Sequence, residues 1–282
     1  MKTSKTKTMS TKTNKLKGTL IVFEGIDGSG KSTQIKKIKK YIKEQFDRDV
    51  VTSSWKSAPI VSDYLRDLDK LDEQPSPLAL SLIVAADLNE RVQKEIVPAL
   101  ERGKVVICDR YTYTGLVRDK VVNNIDTAWL EGIYSFAPKP DMVFYFQVND
   151  ATSVERVDQR MQEGLARLVK KLRKKHGKVS EKKISKLIDK LKGSMTNGST
   201  AGSMVDTIQA LRKGERIYQV NGDPLTEEIA QQQRMELVNH LIAEYNAIAK
   251  KHHFVGIDAM KPINDVSWQI EQSLQGLLGK KA

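Results

Sequence analysis

The sequence contains a single cysteine among 282 residues. No disulfide can form within the chain, which argues against a small secreted protein held together by disulfides and favours a reducing compartment. The one cysteine, Cys108, ends the apolar run Val105–Cys108. We interpret it as a strand residue rather than a catalytic one.

Long apolar runs are also missing. No stretch approaches the roughly 18 to 20 apolar residues that span a bilayer, and the N-terminus lacks the apolar segment of a secretory signal. We therefore expect a cytoplasmic protein with no membrane partner. The first 17 residues hold six lysines and no acidic residue. They predict a disordered basic tail over residues 1–17, with a transit peptide as an alternative that its lack of arginine disfavours.

Acidic residues are outnumbered, and the formal net charge is +12. The excess is local, because the tail contributes +6 and the segment Gly164–Lys213 contributes +11, which leaves −5 for the rest of the chain. This segment, residues 164–213, is called the basic insert below. Two interpretations stay open for it: a solvated helical hairpin followed by a loop, or an arm that binds nucleic acid or another polyanion through phosphate contacts. No aromatic residue lies among its lysines, so base stacking is not supported.

Short apolar runs alternate with longer amphipathic segments along the rest of the sequence. The β-branched run Thr19–Glu24 predicts a buried parallel strand, and the apolar spacing from Ser32 onward predicts an amphipathic helix. The pattern continues with strands predicted at residues 50–53, 105–108, 142–148 and 254–257, and helices at residues 77–102, 127–136, 225–251 and 263–278. It predicts an α/β fold for residues 18–163 and 214–282, with a five-stranded parallel sheet, helices on both faces, and ligands at the carboxyl ends of the strands.

The segment Gly25–Ser32 matches the phosphate-binding pattern G-x-x-x-x-G-K-[ST] in full, between a predicted strand and a predicted helix. In this pattern backbone N–H groups surround phosphate oxygens, Lys31 reaches the β- and γ-phosphates, and Ser32 offers its hydroxyl to Mg²⁺. ATP and Mg²⁺ are therefore the predicted ligands. The predicted nucleotide-binding residues are Gly25, Asp27, Gly28, Ser29, Gly30, Lys31, Ser32 and Thr33. The loop does not decide the reaction, because GTPases, motors and kinases share it.

The surroundings of the loop resemble the thymidylate kinase family of nucleoside monophosphate kinases. The run Phe23–Thr33 is similar to the start of these enzymes, and Pro98–Tyr111 is similar to their Asp-Arg-Tyr block. Further similarity lies at Lys139–Asp141 and from Glu215 onward, so the resemblance covers most of the chain outside the tail and the basic insert. It implies a P-loop kinase that transfers the γ-phosphate of ATP to a nucleoside monophosphate, dTMP by default. It also allows a homodimer.

The resemblance assigns roles to individual residues. Arg110 would clamp the acceptor phosphate, Asp109 would stand with Ser32 beside the metal, and Asp27 would hold the acceptor sugar or a metal-bound water. The candidate catalytic residues are Lys31, Asp27, Arg110 and Arg160, and the candidate substrate-binding residues are Asp27, Arg110, Tyr111 and Arg118. The candidates for an arginine-bearing lid that excludes water are Arg156, Arg160 and Arg216. The basic insert, residues 164–213, stands where the family has this lid, so the resemblance implies an enlarged basic helical lid. The alternatives are a structural ion pair at Asp109–Arg110 and solvated surface positions for the lid arginines.

The base-reading part of the family pattern is absent. Val84 and Leu88 stand where the family has a stacking phenylalanine and an arginine, and Ser54–Ser57 replaces an Arg-Glu-Pro-Gly type turn. Without these base-binding side chains, we expect the enzyme to lose its preference for thymidine over other nucleosides. Trp55 or Arg118 could build a different acceptor pocket, although Trp55 could equally belong to the core.

Three hypotheses remain open on the sequence. The first is a nucleoside monophosphate kinase. The second is a kinase of a non-thymidine, polymeric or non-nucleotide acceptor. The third is a nucleotide-binding module whose basic insert binds nucleic acid.

Overall fold

The structure is a computed structural model that describes residues 16–59, 61–62, 64, 75–176 and 227–279. The predicted tail up to residue 15, Arg216, and the basic insert from residue 177 onward lie outside the described residues. The strands are β1 Thr19–Glu24, β2 Val50–Ser54, β3 Val105–Asp109, β4 Met142–Gln147 and β5 Val255–Asp258.

Helices connect these strands. They are α1 Lys31–Phe46, α2 Pro77–Arg91, α3 Val97–Glu101, α4 Thr112–Asn123, α5 Thr127–Ile133, α6 Asp150–His176, α7 Glu227–Lys251 and α8 Ile263–Leu278. A π-helical turn, Val92–Ile96, joins α2 to α3, and a 3₁₀ turn, Tyr134–Phe136, follows α5.

The five strands form one parallel sheet in the order β2-β3-β1-β4-β5. Every residue of β1 and β3 is buried, which explains why their sequences are continuous apolar runs rather than alternating ones. Phe23 of β1 lies opposite Asp109 of β3, so the carboxyl ends of the two strands meet at the same edge of the sheet. The loop after β1 and the residues after β3 are therefore neighbours.

Local sequence fixes the start of several helices. Ser76 accepts a hydrogen bond from the N–H of Ala79 at 3.2 Å, and Pro77 occupies the first position of α2, where its missing N–H costs nothing. Asp126 caps α5 in the same way by accepting from the N–H of Trp129 at 2.9 Å. These caps satisfy N–H groups that the helix itself leaves without acceptors.

The longest helices are α6 and α7, with 27 and 25 residues. Charged and amide side chains recur along both of them. Among the described residues, no helix combines the length and the apolar character needed to cross a membrane. Since α6 ends at His176, the first 13 residues of the basic insert continue this helix.

The predicted sheet is confirmed, with differences at element boundaries. β2 and β3 each extend one residue further than predicted, and the π-helical turn interrupts the helix predicted over residues 77–102. Helix α4 was not predicted, because its residues are buried on several sides and include β-branched residues and Gly115, so no amphipathic period appears. Leu16, which the prediction assigned to the tail, packs against the core.

Candidate active site

The loop between β1 and α1 depends on two glycines that approach other backbone segments. Gly25 has φ 139°, and a Cβ there would lie 2.9 Å from the carbonyl oxygen of Phe146. Gly28 has φ 75°, and a Cβ there would lie 2.5 Å from the carbonyl oxygen of Ser153. The Ser153 hydroxyl donates to the carbonyl oxygen of Asp27 at 2.7 Å, so the start of α6 holds the loop from the side.

Lys31, the first residue of α1, closes the loop from within. Its ammonium group donates to the carbonyl oxygens of Gly25 and Ile26 at 2.8 Å each and to the hydroxyl of Ser29 at 3.1 Å. Burial, assisted by the positive charge of Arg110, lowers the pKa of Lys31 to about 7. The lysine is thus held by acceptors that phosphate oxygens can replace.

Ser32, at the start of α1, and Asp109, at the end of β3, lie close together at the carboxyl end of the sheet. The Ser32 hydroxyl donates to Asp109 Oδ2 at 3.0 Å. Asp109 Oδ1 is buried and has no hydrogen-bond partner among the described residues. Mg²⁺ prefers oxygen ligands, one or two of them carboxylates, and completes its shell with water and substrate phosphates. A hydroxyl beside a carboxylate with an unused buried oxygen fits that preference, so these two residues could hold the metal.

Arg110 directly follows β3 and turns back toward the phosphate loop. Its backbone N–H donates to the carbonyl oxygen of Phe23 at 3.0 Å, and its φ is 70°, in the left-handed region that residues with a Cβ rarely adopt. Its guanidinium forms a buried ion pair with Asp27 inside the loop. Burial acts to lower the pKa of Arg110, but Asp27 and neighbouring acidic groups outweigh it and raise the pKa above its usual value.

A cavity of about 260 Å³ lies over the loop. Its lining contains the predicted nucleotide-binding residues from Asp27 to Thr33 and also Lys36 and Arg160. The structure therefore brings the predicted catalytic residue Arg160 to the loop. Lys36 was missed by the sequence analysis, although its position one helical turn after Ser32 could have indicated it. A larger groove of about 610 Å³ between α6 and α7 contains none of the loop residues, so we place the site by its chemistry rather than by volume.

Arg156, another lid candidate, has a different place. It donates to the carbonyl oxygens of Gly28 at 3.4 Å and Ala259 at 3.1 Å, and so links the loop to the residue after β5. These contacts hold the guanidinium at the edge of the loop.

Two predicted substrate-binding residues do not line this cavity. Tyr111 is buried in the core and its hydroxyl donates to the carbonyl oxygen of Pro138 at 3.1 Å. Arg118 is buried on α4, where its Nε donates to Asp119 at 2.7 Å. Their predicted contacts with the acceptor stay predictions.

Trp55 packs against Val84, the residue at the position where the family pattern has a stacking phenylalanine. Its ring packs against the fully buried Val84 together with partly buried apolar neighbours, and its backbone N–H donates to the carbonyl oxygen of Asp109 at 3.1 Å. The indole Nε1 is buried and has no hydrogen-bond partner among the described residues. Trp55 thus lies beside Arg110 at the carboxyl end of the sheet.

A buried ion pair anchors the loop that carries Trp55. Arg91 donates from Nε to Asp87 at 3.0 Å and from Nη1 to the hydroxyl of Ser53 at 3.0 Å. Asp87 in turn accepts from the backbone N–H groups of Lys56 at 3.1 Å and Ala58 at 2.8 Å. This network ties α2 to the end of β2, and sequence reasoning did not find it.

Comparison with known proteins finds a matching family model and related sequences. A family model described as Thymidylate kinase matches residues 23–201. The chain is 43% identical over 142 residues to a probable thymidylate kinase 2 of Saccharolobus solfataricus, covering 50% of this chain and 65% of that protein. It is 38% identical over 154 residues to a thymidylate kinase of Caldicellulosiruptor saccharolyticus, and 37% identical over 153 residues to a probable thymidylate kinase of Pyrococcus abyssi. The shares covered are 50% and 51% of this chain, and 70% and 72% of these two relatives.

Proposed function

Because the chain belongs to the thymidylate kinase family, we propose that it transfers the γ-phosphoryl group of ATP to the phosphate of a nucleoside monophosphate. Members of this family are nucleoside monophosphate kinases, and the names of the relatives give thymidylate as the acceptor to expect first. The proposed reaction is therefore the conversion of dTMP and ATP to dTDP and ADP.

The observation that carries the proposal is the buried ion pair between Arg110 and Asp27. A phosphate loop alone would serve any nucleotide hydrolase. Here the loop is joined to a planar guanidinium at the end of β3, where a second phosphate group can be bound by two parallel hydrogen bonds. Such an arrangement suits transfer between two anions better than hydrolysis.

Three basic residues have separate tasks in the proposed reaction. Lys31 exchanges its three oxygen acceptors for phosphate oxygens of ATP and neutralises charge that develops on the transferred group. Arg110 orients the acceptor phosphate, and Arg160 adds positive charge over the cavity. Little covalent chemistry is needed, because positioning and charge neutralisation supply most of the catalysis.

Mg²⁺ bound with ATP would supply additional positive charge on the phosphates, and Ser32 and Asp109 are the residues that would hold it. The unused Oδ1 of Asp109 supports this assignment.

The residues available to bind the acceptor base differ from those of the family pattern. Val84 and Leu88 are both fully buried, so neither offers a polar group to a base. We propose Trp55 as the aromatic surface for the base, because its backbone N–H donates to the carbonyl oxygen of Asp109, next to Arg110, and its indole N–H has no partner among the described residues. Selectivity for thymine over other bases is consequently expected to be low.

Three further assignments concern the partners and the location of the protein. We propose a polyanion such as nucleic acid as a partner of the basic insert, on the strength of its charge alone. The homodimer that the resemblance allows and the cytoplasmic location stay predictions.

An acceptor panel tests the proposal directly. Release of ADP would be measured with ATP, Mg²⁺ and each of dTMP, dUMP, dCMP, dGMP, UMP and AMP, using the Lys31→Ala variant as the matched control. We expect turnover with dTMP, comparable turnover with at least one other pyrimidine monophosphate, and loss of about a thousandfold or more in the variant. The absence of turnover with every monophosphate would refute the proposed function.

A further inference from the structure

Arg110 needs support from its neighbours. A residue in the left-handed region keeps that conformation only where surrounding contacts determine it. The backbone N–H of Arg110 donates to the carbonyl oxygen of Phe23. The next backbone N–H, that of Tyr111, donates to Glu24 Oε1 at 2.9 Å. The last residues of β1 thus hold the backbone on both sides of the Arg110 side chain.

Glu24 is the centre of this support. It is fully buried at the end of β1 and accepts hydrogen bonds from the N–H of Thr114 at 3.2 Å and from the Thr114 hydroxyl at 2.6 Å, in addition to that from Tyr111. The residue before α4, Tyr111, does not cap this helix with its own side chain. Glu24 therefore caps α4 from the neighbouring strand and fixes the helix that begins directly after Arg110.

A tyrosine from a distant helix completes the arrangement. The Tyr245 hydroxyl, on α7, donates to Glu24 Oε2 at 3.1 Å and lies 3.0 Å from the Thr114 hydroxyl. Its ring stacks on Tyr145 of β4 with centroids 5.5 Å apart and planes 17° apart. The Thr114 hydroxyl also accepts from Arg110 Nη1 at 3.5 Å, so this side chain contacts both Glu24 and the arginine.

We infer that Tyr245, acting through Glu24 and Thr114, is a positioning residue for Arg110. The inference rests on the proposed function, in which Arg110 binds the acceptor phosphate. The hydroxyl on α7 restrains the carboxylate and the threonine that hold the arginine in its left-handed backbone conformation and limit its side-chain orientations. Loosening that support impairs binding and reaction of the acceptor and leaves binding of ATP in the phosphate loop unaffected.

The first test compares two tyrosines that stack on each other. Tyr245→Phe keeps the ring and removes only the hydroxyl, whereas Tyr145→Phe removes a hydroxyl that is not among the donors to Glu24. We expect Tyr245→Phe to lower kcat/KM for the acceptor about tenfold with the KM for ATP unchanged, and Tyr145→Phe to leave both parameters unchanged. Equal effects of the two substitutions, or a matching loss of ATP affinity in Tyr245→Phe, would overturn the inference.

The second test uses the threonine between the two partners. Thr114→Val keeps the volume and removes the hydroxyl, and we expect it to reproduce the selective loss on the acceptor side. Thr114→Ser restores a hydroxyl, and we expect it to recover most of kcat/KM. If valine and serine behaved alike, the hydrogen bonds of Thr114 would have no part in positioning Arg110.

Amide hydrogen exchange separates failure of this inference from failure of the proposed function. If the wild-type protein turns over no acceptor, the kinetic tests cannot be done. The exchange rates of the backbone amides of Tyr111 and Thr114 are then measured in the intact protein. Faster exchange in Tyr245→Phe than in Tyr145→Phe supports the positioning network even then. Identical exchange in the two variants overturns it.

Discussion

Arg110 and Asp27 are 83 positions apart in sequence and form a buried ion pair at the carboxyl end of the sheet. The side chains of both are at most 4% exposed. Because the loop after β1 and the residues after β3 meet at one edge, the pair joins the phosphate loop, which we propose for ATP, to the arginine that we propose for the acceptor phosphate.

The first prediction concerns Arg110. Arg110→Ala removes the planar set of donors for the acceptor phosphate, so we expect a higher acceptor KM, a kcat lower by about a hundredfold or more, and little change in the dissociation constant for ATP. Arg110→Lys keeps the charge without the bidentate geometry and should recover only part of the loss. Initial-rate kinetics with both substrates varied would test this. A collapse of ATP binding in Arg110→Ala would contradict the role assigned to Arg110.

The second prediction follows from the pKa of Lys31, about 7 in the protein without nucleotide. Phosphates of bound ATP favour the charged lysine and raise this pKa, so binding takes up a proton wherever the free protein has lost it. Below pH 6 the lysine is already charged and uptake is close to zero. Above pH 7 the uptake approaches one proton, and affinity for ATP falls by up to about tenfold per pH unit.

Isothermal titration calorimetry in two buffers of different ionisation enthalpy measures the uptake directly. Lys31→Met is the matched control, because its proton uptake should vanish and only the contribution of ATP itself should remain. Uptake that is the same at pH 6 and pH 8, or the same in Lys31→Met, would rule out this assignment.

The third prediction concerns Asp109. Asp109→Asn removes the negative charge while it keeps an oxygen near Ser32, so we expect the Mg²⁺ concentration needed for half-maximal rate to rise about tenfold or more. Binding of ATP without metal should change little. Mn²⁺ titrations alongside Mg²⁺ would show whether the defect lies in metal binding. An unchanged metal requirement would place the metal elsewhere.

The fourth prediction concerns the basic insert. Residues 169–202 hold 11 Lys or Arg and two acids, so deleting them removes a net charge of +9. In proteins that lack the tail, we expect the deletion to lower the salt concentration of elution from heparin and from single-stranded DNA and to flatten the salt dependence of binding.

Because the deletion removes part of α6, a second tailless variant keeps the insert at full length and changes only its charge. Replacement of the six lysines 178, 182, 183, 186, 190 and 192 by glutamine keeps the chain length and should shift elution in the same direction. Equal elution of all three proteins would end the hypothesis that the insert binds a polyanion.

Features that repeat, or that follow a fixed local spacing, could be predicted from the amino-acid sequence alone. Strands β1 and β3 could be predicted from their apolar runs, because a buried parallel strand packs against apolar side chains on both faces of the sheet. The phosphate loop was readable because its glycines and Lys31 occupy fixed positions within eight residues. Placing Ser32 and Asp109 beside one metal came from the family resemblance, since a parallel sheet alone does not decide that β3 lies next to β1.

Contacts between side chains that are far apart in sequence could not be predicted and became visible in the folded chain. Tyr245 meets Glu24 across 221 positions of sequence, and no local period carries that information. The structure also shows that the Tyr111 hydroxyl donates to Pro138 and that Arg118 donates to Asp119, whereas the predicted contacts of both residues with an acceptor stay predictions. A motif fixes residues within one turn or loop, whereas the partners of a buried polar group depend on how whole helices pack against the sheet.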